Sequence, residues 1–167
     1  MNSKSLIINS PYERPMRWWE DYQGQLRPAE GRRPAAYEIF DPRANTKRSA
    51  ELELVNRIRE RVDAWRDAEY PGVTNITREL LRHWHDRSAR QHPFFFCRLE
   101  AIETLICWVA APPNAKQGIH VPGDGGPFER ICDKMATGSG KTRPIPRLVY
   151  GCLKRGTEIT CGRAKAM

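Results

Sequence analysis

Met135-Ala136-Thr137-Gly138-Ser139-Gly140-Lys141-Thr142 is the stretch whose residue types and spacing specify a chemistry rather than a shape. In a Gly-Ser-Gly-Lys-Thr loop successive backbone N–H groups can converge on one anion. The lysine ammonium reaches the β and γ phosphates of a nucleoside triphosphate, and the threonine hydroxyl holds Mg²⁺. Gly138 and Gly140 supply backbone conformations that a Cβ would forbid. Thr137, Gly138, Ser139, Gly140, Lys141 and Thr142 are therefore the candidate cofactor-binding residues, with Thr142 as the Mg²⁺ ligand through its hydroxyl and ATP with Mg²⁺ as the implied cofactor pair. Met135 stands where the generic pattern G-x-x-x-x-G-K-[ST] has its first glycine. A plain strand-to-helix turn would also use glycines, but it would not need Lys141-Thr142 at this offset.

Such a loop has to be fed by a strand and must open a helix, whose N-terminal N–H groups and dipole face the phosphates. Residues 128 to 135, with Ile131, Cys132 and Met135 as apolar positions, suit the strand. The helix is harder to find. Arg143-Pro144-Ile145-Pro146 follows the loop, and each proline biases the residue before it towards extended backbone. Motor ATPases also need a later acid to complete the Mg²⁺ site, and the only acid after Thr142 is Glu158.

Upstream, apolar residues at three- and four-residue steps predict three helices. The first runs from about Arg48 to Ala68 with Leu52, Val55, Ile58, Val62 and Trp65 on its buried face, and Tyr70-Pro71-Gly72 ends it. Its other side alternates Arg57, Arg59, Arg61 and Arg66 with Glu51, Glu60, Asp63 and Asp67, the pattern of a solvated face. The second starts after Thr74 or Asn75 as N-cap and turns Ile76, Leu80, Leu81 and Trp84 inward. His83 and His85 close it; an H-x-H pair on a helix points to different faces and reads as a cationic helix end rather than as metal ligands. The third runs from about Phe94 to Ala110 with Leu99, Ile102, Leu105, Ile106 and Val109 buried, and Pro112-Pro113 as its stop. Before these helices, residues 1–47 carry Pro11, Pro15, Pro28, Pro34 and Pro42 and read as an extended arm rich in proline and aromatics. Its Trp18, Trp19, Tyr22 and Tyr37 either pin the arm to the protein's own surface or stack on bases.

The formal net charge of +8 has an uneven location. Residues 143–167 hold six basic side chains against one acid, +5, which leaves +3 for the other 142 residues. The basic excess is thus poor evidence for a DNA-binding surface on the body of the chain. Five cysteines with no C-x-x-C argue against a disulfide framework or zinc site and for a reduced, cytoplasmic setting. No stretch approaches the ~20 apolar residues of a membrane span.

The form Met135-Ala136-Thr137-Gly138-Ser139-Gly140-Lys141-Thr142 resembles motif I of the superfamily 2 DEAD/DEAH-type helicases, above all the Res helicase/ATPase subunit of type III restriction enzymes. Gly31-Arg32-Arg33-Pro34-Ala35-Ala36-Tyr37, Glu60-Arg61-Val62-Asp63-Ala64-Trp65-Arg66, Tyr70-Pro71-Gly72-Val73-Thr74 and Phe95-Phe96-Cys97-Arg98-Leu99-Glu100-Ala101-Ile102-Glu103-Thr104 are similar to the opening segment of that subunit, and the likeness ends at about Thr142. It implies an α/β chain in which an N-terminal helical region leads into the first strand and phosphate loop of an incomplete RecA-like domain. The divisions are an arm (1–47), a helical region (48–113), the start of a RecA-like lobe (114–142) and a basic tail unlike the family, disordered or out of frame (143–167). It also implies ATP hydrolysis and DNA translocation in support of endonuclease cleavage by the full-length protein, with double-stranded DNA and a methyltransferase subunit as partners. Cys97-Arg98-Leu99-Glu100-Ala101 resembles the Tyr-Gln-x-Glu-Ala stretch whose glutamine reads adenine. Arg98 stands at that place, and a guanidinium has only donors where an amide both gives and accepts. Two other expectations stay open: a non-catalytic truncated remnant, and a small basic nucleic-acid-binding module.

Overall fold

Residues 6–121 are described by a computed structural model, and the phosphate loop, the strand expected at 128–135 and the tail at 143–167 lie outside them. Within 6–121 the protein is mixed α/β: strands β1 (Arg17–Tyr22), β2 (Gln25–Glu30), β3 (Ala36–Asp41) and β4 (Thr46–Glu51) precede helices α1 (Glu53–Asp67), α2 (Asn75–His85) and α3 (Phe96–Ala110). A short 3-10 turn, Pro113–Lys116, follows the last helix. The strands form two separate antiparallel hairpins, β1 with β2 and β3 with β4.

Within the stretch expected as an extended arm before residue 48, the chain forms these two hairpins. At the first, Tyr22 pairs with Gln25, so the loop is Gln23-Gly24 alone, and both residues have positive φ, 53° and 80°. That is the backbone a two-residue turn needs to match strand twist, and the Asp21 carboxylate holds it by accepting from Gly24 N at 2.9 Å. In the second, Asp41 caps a four-residue loop by accepting from Arg43 N at 2.9 Å, and Asn45 closes it at φ 48°. Pro28 does not break β2, because a two-stranded sheet consists only of edges, where a missing N–H is tolerated.

The three helices supply the core. Trp65 and Val62 of α1, Leu81 and Trp84 of α2, and Leu99, Ile102 and Ile106 of α3 are buried together. Helix α1 begins at Glu53 rather than near Arg48, because the chain up to Glu51 is committed to β4. Its end is a Schellman arrangement: Tyr70 N donates to Trp65 O and Glu69 N to Arg66 O, with Glu69 in the left-handed region at φ 60°. Helix α2 is capped as expected by Thr74, whose hydroxyl accepts from Thr77 N. Several inward assignments rotate around the helix by about one residue. Leu52, Val55, Ile76 and Val109 are exposed, whereas Thr77, Glu103 and Cys107 are buried. Gly72 is a close-approach glycine, at φ 88°, where a Cβ would stand 2.6 Å from the Ala110 carbonyl oxygen.

Candidate functional site

Of the residues expected to bind nucleotide, Arg98 alone falls among the described residues; Thr137 to Thr142 lie outside them. Arg98 occupies the first turn of α3, with its guanidinium 4.8 Å from the centre of the Phe95 ring. Phe95 is tilted against Tyr12 at 5.4 Å, and Phe96 N donates to Pro11 O, so the segment before β1 is fastened to the start of α3. Phe96 is buried, whereas Phe94 and Phe95 are half-buried.

The densest chemistry in 6–121 surrounds Glu103. Its side chain is fully buried, yet four donors converge on the carboxylate: Arg66 Nε at 3.0 Å, Arg66 Nη2 at 2.5 Å, Tyr70 OH at 2.9 Å and His85 Nε2 at 2.7 Å. Arg66 also reaches Asp63 at 2.6 Å, and Asp63 in turn takes Arg14 at 2.7 Å. Charges alternate along this chain of contacts, which is how a buried carboxylate is kept ionised. Burial pushes the Glu103 carboxyl up, but hydrogen bonds from His85 and Arg66, and their charges, overcome it and hold the carboxyl below the usual range. Burial and the neighbouring carboxylate push the Tyr70 hydroxyl up, so it stays a donor. Burial works against the Arg66 cation too, and Glu103 and Asp63 more than offset it.

Asp63 and Arg66 were expected on a solvated face of α1, and the structure corrects that: both are largely shielded because α3 brings Glu103 against them. His85 is likewise more than a helix end, since its ring faces Glu103. The signal for Glu103 was present in the spacing. It shares the 99/102/103/106 stripe of α3 with three apolar residues, and a lone carboxylate there must find cations. Among the described residues no group of three or more His, Cys, Asp or Glu is arranged to hold a metal.

A cleft of about 310 Å³ lies where the base of the second hairpin meets α1. Its floor is the α1 stripe Asn56, Arg59, Glu60 and Asp63, and the turn Arg32-Arg33-Pro34 forms one wall. Asn56 stitches the two together, accepting from Ala35 N at 2.6 Å. Arg32 forms a bidentate pair with Glu100 of α3, its Nη2 lying 2.6 Å from Oε2. Arg33 pairs with Glu38 at 2.6 Å, and Arg14 with Asp63.

Comparison of the chain with models of protein families, with curated proteins and with solved structures finds no match. Cys97 and Cys107, the two cysteines among the described residues, form no disulfide; Cys97 is exposed and burial raises the Cys107 thiol to about 11. Among the described residues no helix is long and apolar enough to cross a membrane.

Proposed function

We propose that this chain is the ATP-binding N-terminal portion of a DNA helicase or translocase of the restriction–modification kind. One observation carries the reading: Thr137 to Thr142 place glycine, lysine and threonine at the offsets a triphosphate and Mg²⁺ require, directly after a stretch patterned as a strand. Lys141 neutralises phosphate charge, Thr142 ligates Mg²⁺, and Gly138, Ser139 and Gly140 give backbone donors within the first lobe of a RecA-like domain. Arg98 lies on the adenine side. The full-length protein hydrolyses ATP in the cytoplasm, tracks along double-stranded DNA and works with a methyltransferase subunit. The test is titration of the full chain with a fluorescent ATP analogue and Mg²⁺, against the Lys141→Ala variant. A loss of at least tenfold in affinity is expected, and equal binding by both proteins would overturn the reading.

A second reading is favoured by Arg143-Pro144-Ile145-Pro146, which resists the helix the loop should open, and by Glu158 as the only acid after Thr142. On it the chain is a non-catalytic remnant of such a motor. Nucleotide binding without Mg²⁺-dependent release of phosphate selects it over an active ATPase.

A further inference from the structure

Among the described residues, the ion pairs around the α1 cleft leave out the Arg59 guanidinium, along with the Glu51 and Glu60 carboxylates. Glu103, Asp63 and Glu100 are each matched by an arginine: Arg66 serves the first two, Arg14 serves Asp63 again, and Arg32 serves Glu100. Arg59 sits among them on the cleft floor, half-buried, and makes no hydrogen bond or ion pair with any described residue. None of its nitrogens is both buried and without a partner, and the residue lines the cleft. Burial and the positive charge of Arg32 both work against the Arg59 cation, and the charges of Glu100 and Asp63 only partly relieve it. A half-buried, five-donor group held beside a second arginine and given no acceptor among the described residues is costly for the fold alone. It is the arrangement that an incoming oxyanion relieves, because charge-assisted bonds from a planar fork match the oxygen spacing of a phosphate.

We propose that this cleft is a phosphate-binding site, separate from the loop at residues 137–142, in which Arg59 is the primary ligand and Arg32 adds its field while remaining paired with Glu100. Arg14 and Arg33 also line the cleft, and the volume of about 310 Å³ leaves room for a phosphate together with the group that bears it. Glu60 and Glu51 also line the cleft, both with exposed side chains. Glu60 is next to Arg59 in sequence and opposes the anion, so the site is weak by construction and holds a phosphate only through direct contact with the Arg59 fork.

The test uses the full chain carrying Lys141→Ala, so that the phosphate loop makes no contribution and its fate does not decide the outcome. Inorganic phosphate is titrated in with ³¹P NMR line width and thermal unfolding as readouts. Adding Arg59→Met is expected to weaken phosphate binding by about tenfold or more and to abolish the phosphate-induced rise in Tm, while the Tm without phosphate stays level or rises. Adding Glu60→Gln instead is expected to tighten binding about two- to threefold at low salt. Displacement of phosphate by a short DNA duplex would identify a phosphodiester as the natural source, and failure of the duplex to displace it would identify a free phosphate; either keeps the site. Phosphate binding that is unchanged by Arg59→Met, or absent from the parent, overturns the proposal. So does a fall in the phosphate-free Tm of the Arg59→Met protein, which would make Arg59 a structural group.

Discussion

Glu103 is where removal of one carboxylate should cost the fold most. Glu103→Ala takes away the acceptor of Arg66 Nε and Nη2, of the Tyr70 hydroxyl and of the His85 ring at once, at a fully buried position. Removing one partner of a buried ion pair costs about 3–5 kcal/mol. Arg66 keeps a second carboxylate, Asp63, at 2.6 Å, which places the expected loss at the lower end, about 3 kcal/mol. Against a typical total of about 5–15 kcal/mol, that is a large share. It corresponds to a fall in Tm on the order of 10 °C for a domain of this size. Urea unfolding followed by tryptophan fluorescence reads it directly, since Trp65 and Trp84 belong to the same core. The pH dependence adds a sign. Because the folded pKa of Glu103 is lowered, its ionisation contributes stability that is present above the unfolded value, about 4.3, and is lost as pH falls through the folded one. The gap between the native protein and Glu103→Gln should therefore narrow below about pH 4. A loss under about 1 kcal/mol for Glu103→Ala at pH 7, or a gap that widens in acid, would refute the reasoning.

Two further outcomes concern the backbone. Gly72→Ala puts a methyl group 2.6 Å from the Ala110 carbonyl oxygen and demands φ 88° of an alanine, so a loss of about 2–3 kcal/mol is expected in the same urea assay. Thr74→Ala removes the oxygen that accepts from Thr77 N and should cost about 1 kcal/mol, with Thr74→Ser recovering most of it.

Helical periodicity made the second half of 6–121 legible. The existence of α1, α2 and α3, the Thr74 cap and the contribution of Trp65, Leu81 and Ile102 to the core all follow from apolar residues at three- and four-residue steps. What periodicity could not show was which flank of each stripe faces another helix. Val109 and Ile76 are exposed, while Glu103 and Thr77 are buried, because the packing partner is fixed by tertiary arrangement. The hairpins were hidden by their own composition. Counting prolines points to an extended arm and not to its two reversals, although Gly24 and Asn45 are residues that tight reversals favour and Pro28 is harmless in a sheet of two strands. The candidate cleft was less legible still, because Arg14, Arg32, Arg59 and Asp63 are scattered over fifty residues and meet only when the hairpin base lies on α1.

That meeting decides how the hairpins stay folded. An isolated two-stranded hairpin is marginal in water, and these two carry Tyr22, Leu26, Tyr37, Ile39 and Phe40 exposed rather than packed on the helices. Beside the Tyr12–Phe95 ring contact, their attachments include polar links: the Asn56 amide to Ala35, Arg32 to Glu100, Arg14 to Asp63, and Phe96 N to Pro11 O. Polar attachments of this kind hold only while every donor and acceptor is matched, since losing one partner leaves the other desolvated and alone. Three of those four links border the cleft or reach it through Arg32, Asn56 and Asp63, so its charge balance is also the seam between hairpins and helices. Arg59 sits on that seam with no hydrogen bond or ion pair to any described residue, and an anion accepted there would tighten the attachment of the second hairpin to α1 by drawing Arg59 and the Arg32 turn towards a common acceptor.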